Sequence, residues 1–301
     1  MNPTPNHQAP APGFDALSWH QGVDLSCQLL PVDEAMVRSL ELSDKEKLAA
    51  SWALGLLAAS AISAHEKILY DLKDVWLTNK AKRLYQRQAE TFFEEEAEHA
   101  RAYSRFIDLA ADKFNLTPQE LRSFLPEYKT NSVLTWIYRL EKALGGSAVW
   151  WTVAITEEES IHLFRRIAKL KDTDPLFYEI NQLHFQEEVR HSSFSYKMLS
   201  LSGPWASRLS FLLSRGLQVY WLVQQLYRMR RVTQFADRHP MLASWSKIIQ
   251  RISALSWKEK HQLIWRDTSY LVMMLNPRKH PRVQRQLKSG MILTLAREAT
   301  R

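Results

Sequence analysis

Apolar positions recur three and four residues apart along most of the chain, the spacing of a single buried face on an α-helix rather than the alternation of a strand. Residues 48–75 and 81–109 carry this spacing at length without a proline, which predicts an antiparallel pair of long helices. Thr117-Pro118-Gln119-Glu120 combines an N-cap, a first-turn proline and a capping-box glutamate, so a short helix is expected to start there. Gly145-Gly146 interrupts the pattern before a second long pair, one helix over 147–171 and another from Asp174-Pro175 towards Leu201, stopped by Ser202-Gly203-Pro204. An aromatic-rich helical pattern then runs to about Phe235, and further helices are expected between Ala243 and Leu275, ahead of the Asn276-Pro277 break. Residues 1–13 hold four prolines and little apolar periodicity, and read as a mobile tail. With no tandem repeat and no long linker, the expectation is one helical domain over 14–301: a bundle at about 45–203 and an additional helical region over 204–301.

Composition narrows the class without changing it. In 301 residues, 46% hydrophobic and 24% charged, there is enough apolar material for a large core, and only 8 glycines and 12 prolines, too few for a turn-rich β-protein. The single cysteine, Cys27, closes no intramolecular disulfide and argues against a disulfide-stapled extracellular scaffold. No secretory signal pattern opens the chain, and the most apolar stretch, 52–62, is short for a bilayer and broken by Gly55 and Ser60. The expected location is cytoplasmic, without membrane contact.

Charge is split along the chain. Residues 204–301 carry 18 Lys/Arg against 4 Asp/Glu, whereas residues 1–203 carry 22 against 28, so the overall charge of +8 conceals an acidic front and a basic end. The basic end, with Arg228, Arg230 and Arg231 clustered, is either a solvated face or a surface for an acidic partner such as a carrier or redox protein. Nothing resembles a zinc finger or an RNA-recognition signature, so nucleic acid is not the expected partner.

The acidic front also concentrates candidate chemistry. It holds two Glu-x-x-His pairs, Glu96 with His99 and Glu188 with His191, each placing a carboxylate and an imidazole on one helical face. One such pair is weak evidence and occurs readily on a solvated helix. Yet Glu66 precedes Glu96 by 30 residues and Glu157 precedes Glu188 by 31, so the order is Glu, Glu-x-x-His, Glu, Glu-x-x-His, the ligand set of four-helix di-iron carboxylate proteins. Glu96 shares its face with Ala89, Phe92, Phe93, Ala100 and Tyr103 and is expected to point inward, while Glu94, Glu95 and Glu98 lie on more polar faces, solvated or supporting the ligands. Glu157 aligns with Trp150, Val153, Ala154, Ile161 and Phe164, and Glu158 with Arg165, which selects Glu157. His184 falls one turn before Glu188 on the stripe of His191, where a ligand and a core histidine are both open readings; His65 and His162 are weaker candidates.

This pattern resembles the p-aminobenzoate N-oxygenase family of non-haem di-iron enzymes, over roughly residues 45–235 and most specifically in His184-Phe-Gln-Glu-Glu188-Val-Arg-His191. The resemblance implies an all-α, ferritin-like four-helix di-iron bundle with additional C-terminal helices. It also implies a metal set of Glu66, Glu96, His99, Glu157, His184, Glu188 and His191, with His184 as the additional histidine of the last ligand helix. The implied cofactor is two Fe ions with O2 as co-substrate. The implied reaction is N-oxygenation of a small-molecule or carrier-bound amine, to a hydroxylamine, nitroso or nitro product, with electrons from a donor such as a ferredoxin or reductase. Tyr70, Phe92, Phe93, Tyr103, Trp150 and Trp151 are candidate pocket residues, each equally suited to core packing. Competing readings are a di-iron hydroxylase or desaturase, a ferritin-like ferroxidase, and a metal-free helical interaction protein.

Overall fold

The computed structural model describes residues 13–71, 73, 79–125, 136, 139–140, 143, 147–201, 204–263 and 281–286. The tail expected over 1–13 and the Asn276-Pro277 break lie almost wholly outside them. Nine helices carry the described fold: α1 (Glu34–Ser39), α2 (Asp44–Asp71), α3 (Asn79–Lys113), α4 (Pro118–Phe124), α5 (Ala148–Ile167), α6 (Pro175–Ser200), α7 (Pro204–Met229), α8 (Pro240–Ala254) and α9 (Trp257–Gln262). Among the described residues there is no strand, only an isolated bridge between Gln28 and Thr173. The fold is the all-α, ferritin-like bundle that the helical periodicity and the family resemblance anticipate.

Local chemistry sets the helix ends. Thr117 and Glu120 form the capping box expected at the start of α4, and Asp174 accepts from the backbone N–H of Phe177 ahead of Pro175 at the start of α6. The long aromatic-rich helix is cut at Met229, and a 3-10 stretch, Arg230–Phe235, completes the expected segment. α3 runs through a non-helical Tyr85 (φ −139°, ψ 23°), which separates its first turns from the rest.

α2 packs along α3 and α5 along α6, with α3 also meeting α6; these four make the bundle. Small residues at the contacts, Ala49, Ala58 and Ala59 on α2 and Ala102, Ala110 and Ala111 on α3, let the backbones approach. α7 covers α5, and α8 lies on α2. By length and composition α2 could cross a membrane, longer than the apolar stretch alone suggests, but most of its apolar window is buried and it serves as a core helix.

Two apolar layers fill the bundle. One gathers Trp52, Leu56, Phe106, Ile107, Phe114, Phe177 and Trp245; the other gathers Ile68, Phe92, Phe93, Trp150, Trp151, Phe194 and Met198. The residues between them on all four helices form a polar layer: Glu66 on α2, Glu96 and His99 on α3, Glu157 on α5, and His184 to His191 on α6.

The segment before α1 closes one side of the first layer. Ser51 accepts from the backbone N–H groups of Leu29 and Leu30 and donates to the Leu30 carbonyl. Gly55 is required one turn on, because a Cβ there would collide with the Leu29 side chain. Phe14, also from this segment, is buried with its ring edge-on to His99, centroids 5.3 Å apart.

Candidate metal centre

All seven residues expected to hold metal are buried in the polar layer, the most exposed, Glu66 and Glu157, at 4%. They fall into three overlapping groups in which one donor atom from each residue lies within 4.8 Å of the others: Glu66, His99, His184 and Glu188; Glu96, His99 and His191; and Glu157, Glu188 and His191. His65 and His162 belong to none of these groups, and burial lowers the His65 imidazole to about 4. Glu158 is occupied elsewhere, accepting from Ser192 at 2.9 Å with Arg282 at 3.4 Å, while its neighbour Glu157 faces the cluster.

Each histidine is held by its outer nitrogen. His99 Nε2 lies 2.6 Å from Glu187, and His191 Nε2 lies 2.7 Å from Glu95. A carboxylate there accepts the imidazole N–H, which leaves each Nδ1 as a lone pair aimed into the cluster. His184 is oriented by a chain: Asn181 donates to the Phe177 carbonyl, Tyr103 donates to Asn181 Oδ1, and the Tyr103 oxygen lies 3.0 Å from His184 Nδ1. With the tyrosine proton committed to Asn181, His184 Nδ1–H donates to Tyr103, and Nε2 presents its lone pair to Glu66 at 2.9 Å and to Glu188 one turn along its own helix.

The inner atoms lack complementary partners. Of nine buried side-chain polar atoms without a hydrogen bond among the described residues, five belong to this layer: Glu66 Oε2, Glu96 Oε1, His99 Nδ1, Glu188 Oε2 and His191 Nδ1. His99 Nδ1 sits 3.7 Å from both Glu66 and Glu188, and His191 Nδ1 sits 3.1 Å from Glu96 and 3.6 Å from Glu188. Acceptor faces acceptor. Such an arrangement is costly in a dry interior unless protons or a cation lie between the atoms.

Protonation follows the crowding. Burial, then the Glu96 and Glu188 carboxylates, push Glu66 well above the usual carboxylate range. Burial raises Glu96 and takes Glu188 to about 7, against the pull of His191. Burial, with His191 nearby, drives His99 well below its ordinary value, and burial with His99 and His191 does the same to His184. Burial would lower His191 as well, but Glu188, Glu95 and Glu96 surround it and raise it well above. A divalent cation would replace these protons as the countercharge. Carboxylate and imidazole donors converging from four helices, with tautomers fixed from outside, fit iron; four carboxylates balance the charge of two ferrous ions.

The outer partners were only partly visible in the sequence. Glu95 lies among the acids on the polar faces of α3, and no local pattern marks Glu187 or Tyr103 as a support for a histidine of the layer. The available signal was the doubling of the pattern, Glu95-Glu96-x-x-His99 and Glu187-Glu188-x-x-His191, in which the first glutamate of each helix holds the histidine of the other. Of the candidate pocket residues, Trp150, Trp151 and Phe93 are core, Tyr70 is 37% exposed, and Phe92 packs edge-on against His191.

Residues 51–273 match the family model described as P-aminobenzoate N-oxygenase AurF. No curated protein and no solved structure matches significantly.

Proposed function

The chain belongs to the p-aminobenzoate N-oxygenase AurF family, and we propose from that membership that it is a di-iron N-oxygenase acting on an amine. The single observation that carries the reading is the set of buried, inward-facing donors converging from four helices, five of whose atoms have no hydrogen-bond partner among the described residues. Glu66, Glu96, His99, Glu157, His184, Glu188 and His191 would hold two irons, and bound iron supplies the activation of O2 for oxidation of the amine nitrogen. The first oxidation balances as R–NH2 + O2 + 2 e⁻ + 2 H⁺ → R–NHOH + H2O.

The protein's own groups prepare that chemistry. Glu187, Glu95 and Tyr103 fix which nitrogen of His99, His191 and His184 faces inward. Phe14, Phe92 and the two apolar layers keep bulk water from the carboxylates. The substrate is a small-molecule or carrier-bound amine, the reductant a separate electron donor, and the setting cytoplasmic.

The test is reconstitution with ferrous iron, metal analysis, and a screen of amines for oxygen-dependent mass gain. Two irons per chain and amine-dependent oxygen consumption are expected, and Glu96→Ala or Glu188→Ala should lower the iron content. Unchanged iron in both variants would exclude this site. Oxygen consumption indifferent to amines would point to ferroxidase chemistry instead.

A further inference from the structure

α3 and α6 leave between them a groove of about 760 Å³, walled by Leu84 to Gln88, Thr91, Phe92 and Glu95 on one side and by Val189 to His191, Ser193, Phe194 and Lys197 on the other. It begins where α3 breaks at Tyr85. Only one of the seven centre residues, His191, belongs to its described lining. That histidine presents the groove with its outer edge: Nε2 is covered by Glu95, while Nδ1 faces Glu96 and Glu188 on the far side of the ring. An amine lying in the groove would be screened from the carboxylate cluster by the imidazole itself. An electron would not be, because it can cross the ring without the reactants touching.

The rim has the character of a transient protein contact. Arg87, Arg190 and Lys197 are exposed on it, and its one described lining carboxylate, Glu95, is already engaged by Arg190 at 2.6 Å as well as by His191. Leu84 and Val189 add apolar spots, 57% and 43% exposed. Weak electron-transfer encounters have small interfaces, below about 1,200 Å², and depend on charge complementarity for speed more than on area for affinity.

We propose that the α3–α6 groove is the docking surface for an acidic one-electron carrier protein, with Arg87 and Lys197 meeting its carboxylates and the Arg190–Glu95–His191 chain linking the contact to the centre. The inference rests on the di-iron reading and names its reductant. Each first N-oxidation takes two electrons, so two reduced carriers are oxidised by one electron each while one amine becomes one hydroxylamine and one water forms.

The experiment titrates the iron-reconstituted protein calorimetrically with an acidic [2Fe–2S] ferredoxin at low and high salt. It also follows, by anaerobic stopped flow, the oxidation of reduced ferredoxin by protein whose irons have first been oxidised to the ferric state, which accept one electron each, with iron content and melting temperature as folding controls. The double variant Arg87→Glu/Lys197→Glu should weaken binding and slow the second-order oxidation of ferredoxin by at least about tenfold, with a flatter salt dependence. Wild-type affinity and salt dependence in that variant would overturn the proposal. So would loss of ferredoxin binding in Arg230→Glu/Arg231→Glu alone, which would place the contact on the basic end. A variant that binds ferredoxin normally but loses affinity for p-aminobenzoate would make the groove a small-molecule site and overturn it as well. Because the titration reads association, a protein that binds ferredoxin here but oxidises no amine would sink the proposed reaction and leave the docking surface standing.

Discussion

The layer around Trp52 and the layer around Glu188 belong to the same four helices yet are built on opposite terms. In the first, aromatic and aliphatic groups fill the space, and the few polar atoms are all engaged: Trp52 Nε1 donates to the Cys27 carbonyl at 2.8 Å, and Trp245 Nε1 to the Ala49 carbonyl. In the second, four carboxyls and three imidazoles are as deeply buried, but five of their inner atoms, on Glu66, Glu96, His99, Glu188 and His191, have no hydrogen-bond partner. Apolar packing in the first layer provides stability that the second layer spends. A centre able to take up metal must hold its donors in place while they are mutually repulsive, and only well-packed neighbours can do that.

The sharpest way to break the contrast is Glu188→Leu, since Glu188 belongs to two of the three donor groups. Iron content should fall from two per chain towards one or none. The iron-free variant should be more stable than the iron-free wild type, by an amount on the order of 1–4 kcal/mol, because one of the mutually crowding carboxyls of Glu66, Glu96 and Glu188 is replaced by an apolar group of similar size while Glu95 and Glu96 still stand beside His191. Calorimetry with and without iron checks both. A variant less stable than the wild type in the absence of iron would mean that the polar layer is not under strain.

The mirror experiment is Trp52→Ala. Removing a fully buried indole that packs on Phe106 and Phe114 should cost about 3–5 kcal/mol in denaturant unfolding. Iron stoichiometry of the folded fraction should stay the same, because no donor moves. Loss of iron in parallel with stability would show that the two layers are not separable.

A smaller effect is expected from Glu187→Gln, which keeps a group of the same shape beside His99 but removes the carboxylate that accepts its Nε2–H. Metal affinity should drop by about 10–100-fold while the fold persists. Competition against a chelator measures it.

The smallest expected effect concerns Glu159, a buried carboxyl of the α5–α7 side that takes no part in the centre. Burial raises it to about 8, opposed by Arg215. A carboxyl raised in the folded state binds a proton that the unfolded chain has released, so its contribution is greatest below the unfolded value near 4.5 and is lost as pH climbs towards 8. The melting temperature of the wild type should therefore fall by a few degrees more than that of Glu159→Gln between pH 5 and pH 8, a difference of about 1 kcal/mol or more. Parallel curves would place the Glu159 charge in contact with water.

How much of this was legible beforehand differs by residue. Glu96 with His99 and Glu188 with His191 could be read because three residues along a helix always share a face, and Glu157 could be preferred to Glu158 because apolar neighbours marked its side of α5. His184 shares the stripe of Glu188 and His191 by the same geometry, but a stripe does not tell a donor from a packed ring. What orients its ring, Tyr103 and Asn181, lies 81 and 3 residues away. The short helices and 3-10 turns between Phe14 and Ser39 carry too few residues for a periodic signal, so the edge-on contact of Phe14 with His99 was invisible.

What the sequence by itself determined is the helical period, the helix ends with their caps, and the two Glu-x-x-His faces, because each depends on neighbours within a turn or two. What only the tertiary structure decided is which nitrogen of each histidine looks inward, which glutamate stands behind it, and where the centre comes within reach of the surface. The reason is physical. Bonds such as His99 to Glu187 and His191 to Glu95 join residues 88 and 96 positions apart, and their existence depends on how four helices rotate against one another, a choice made by the packing of the apolar layers on either side.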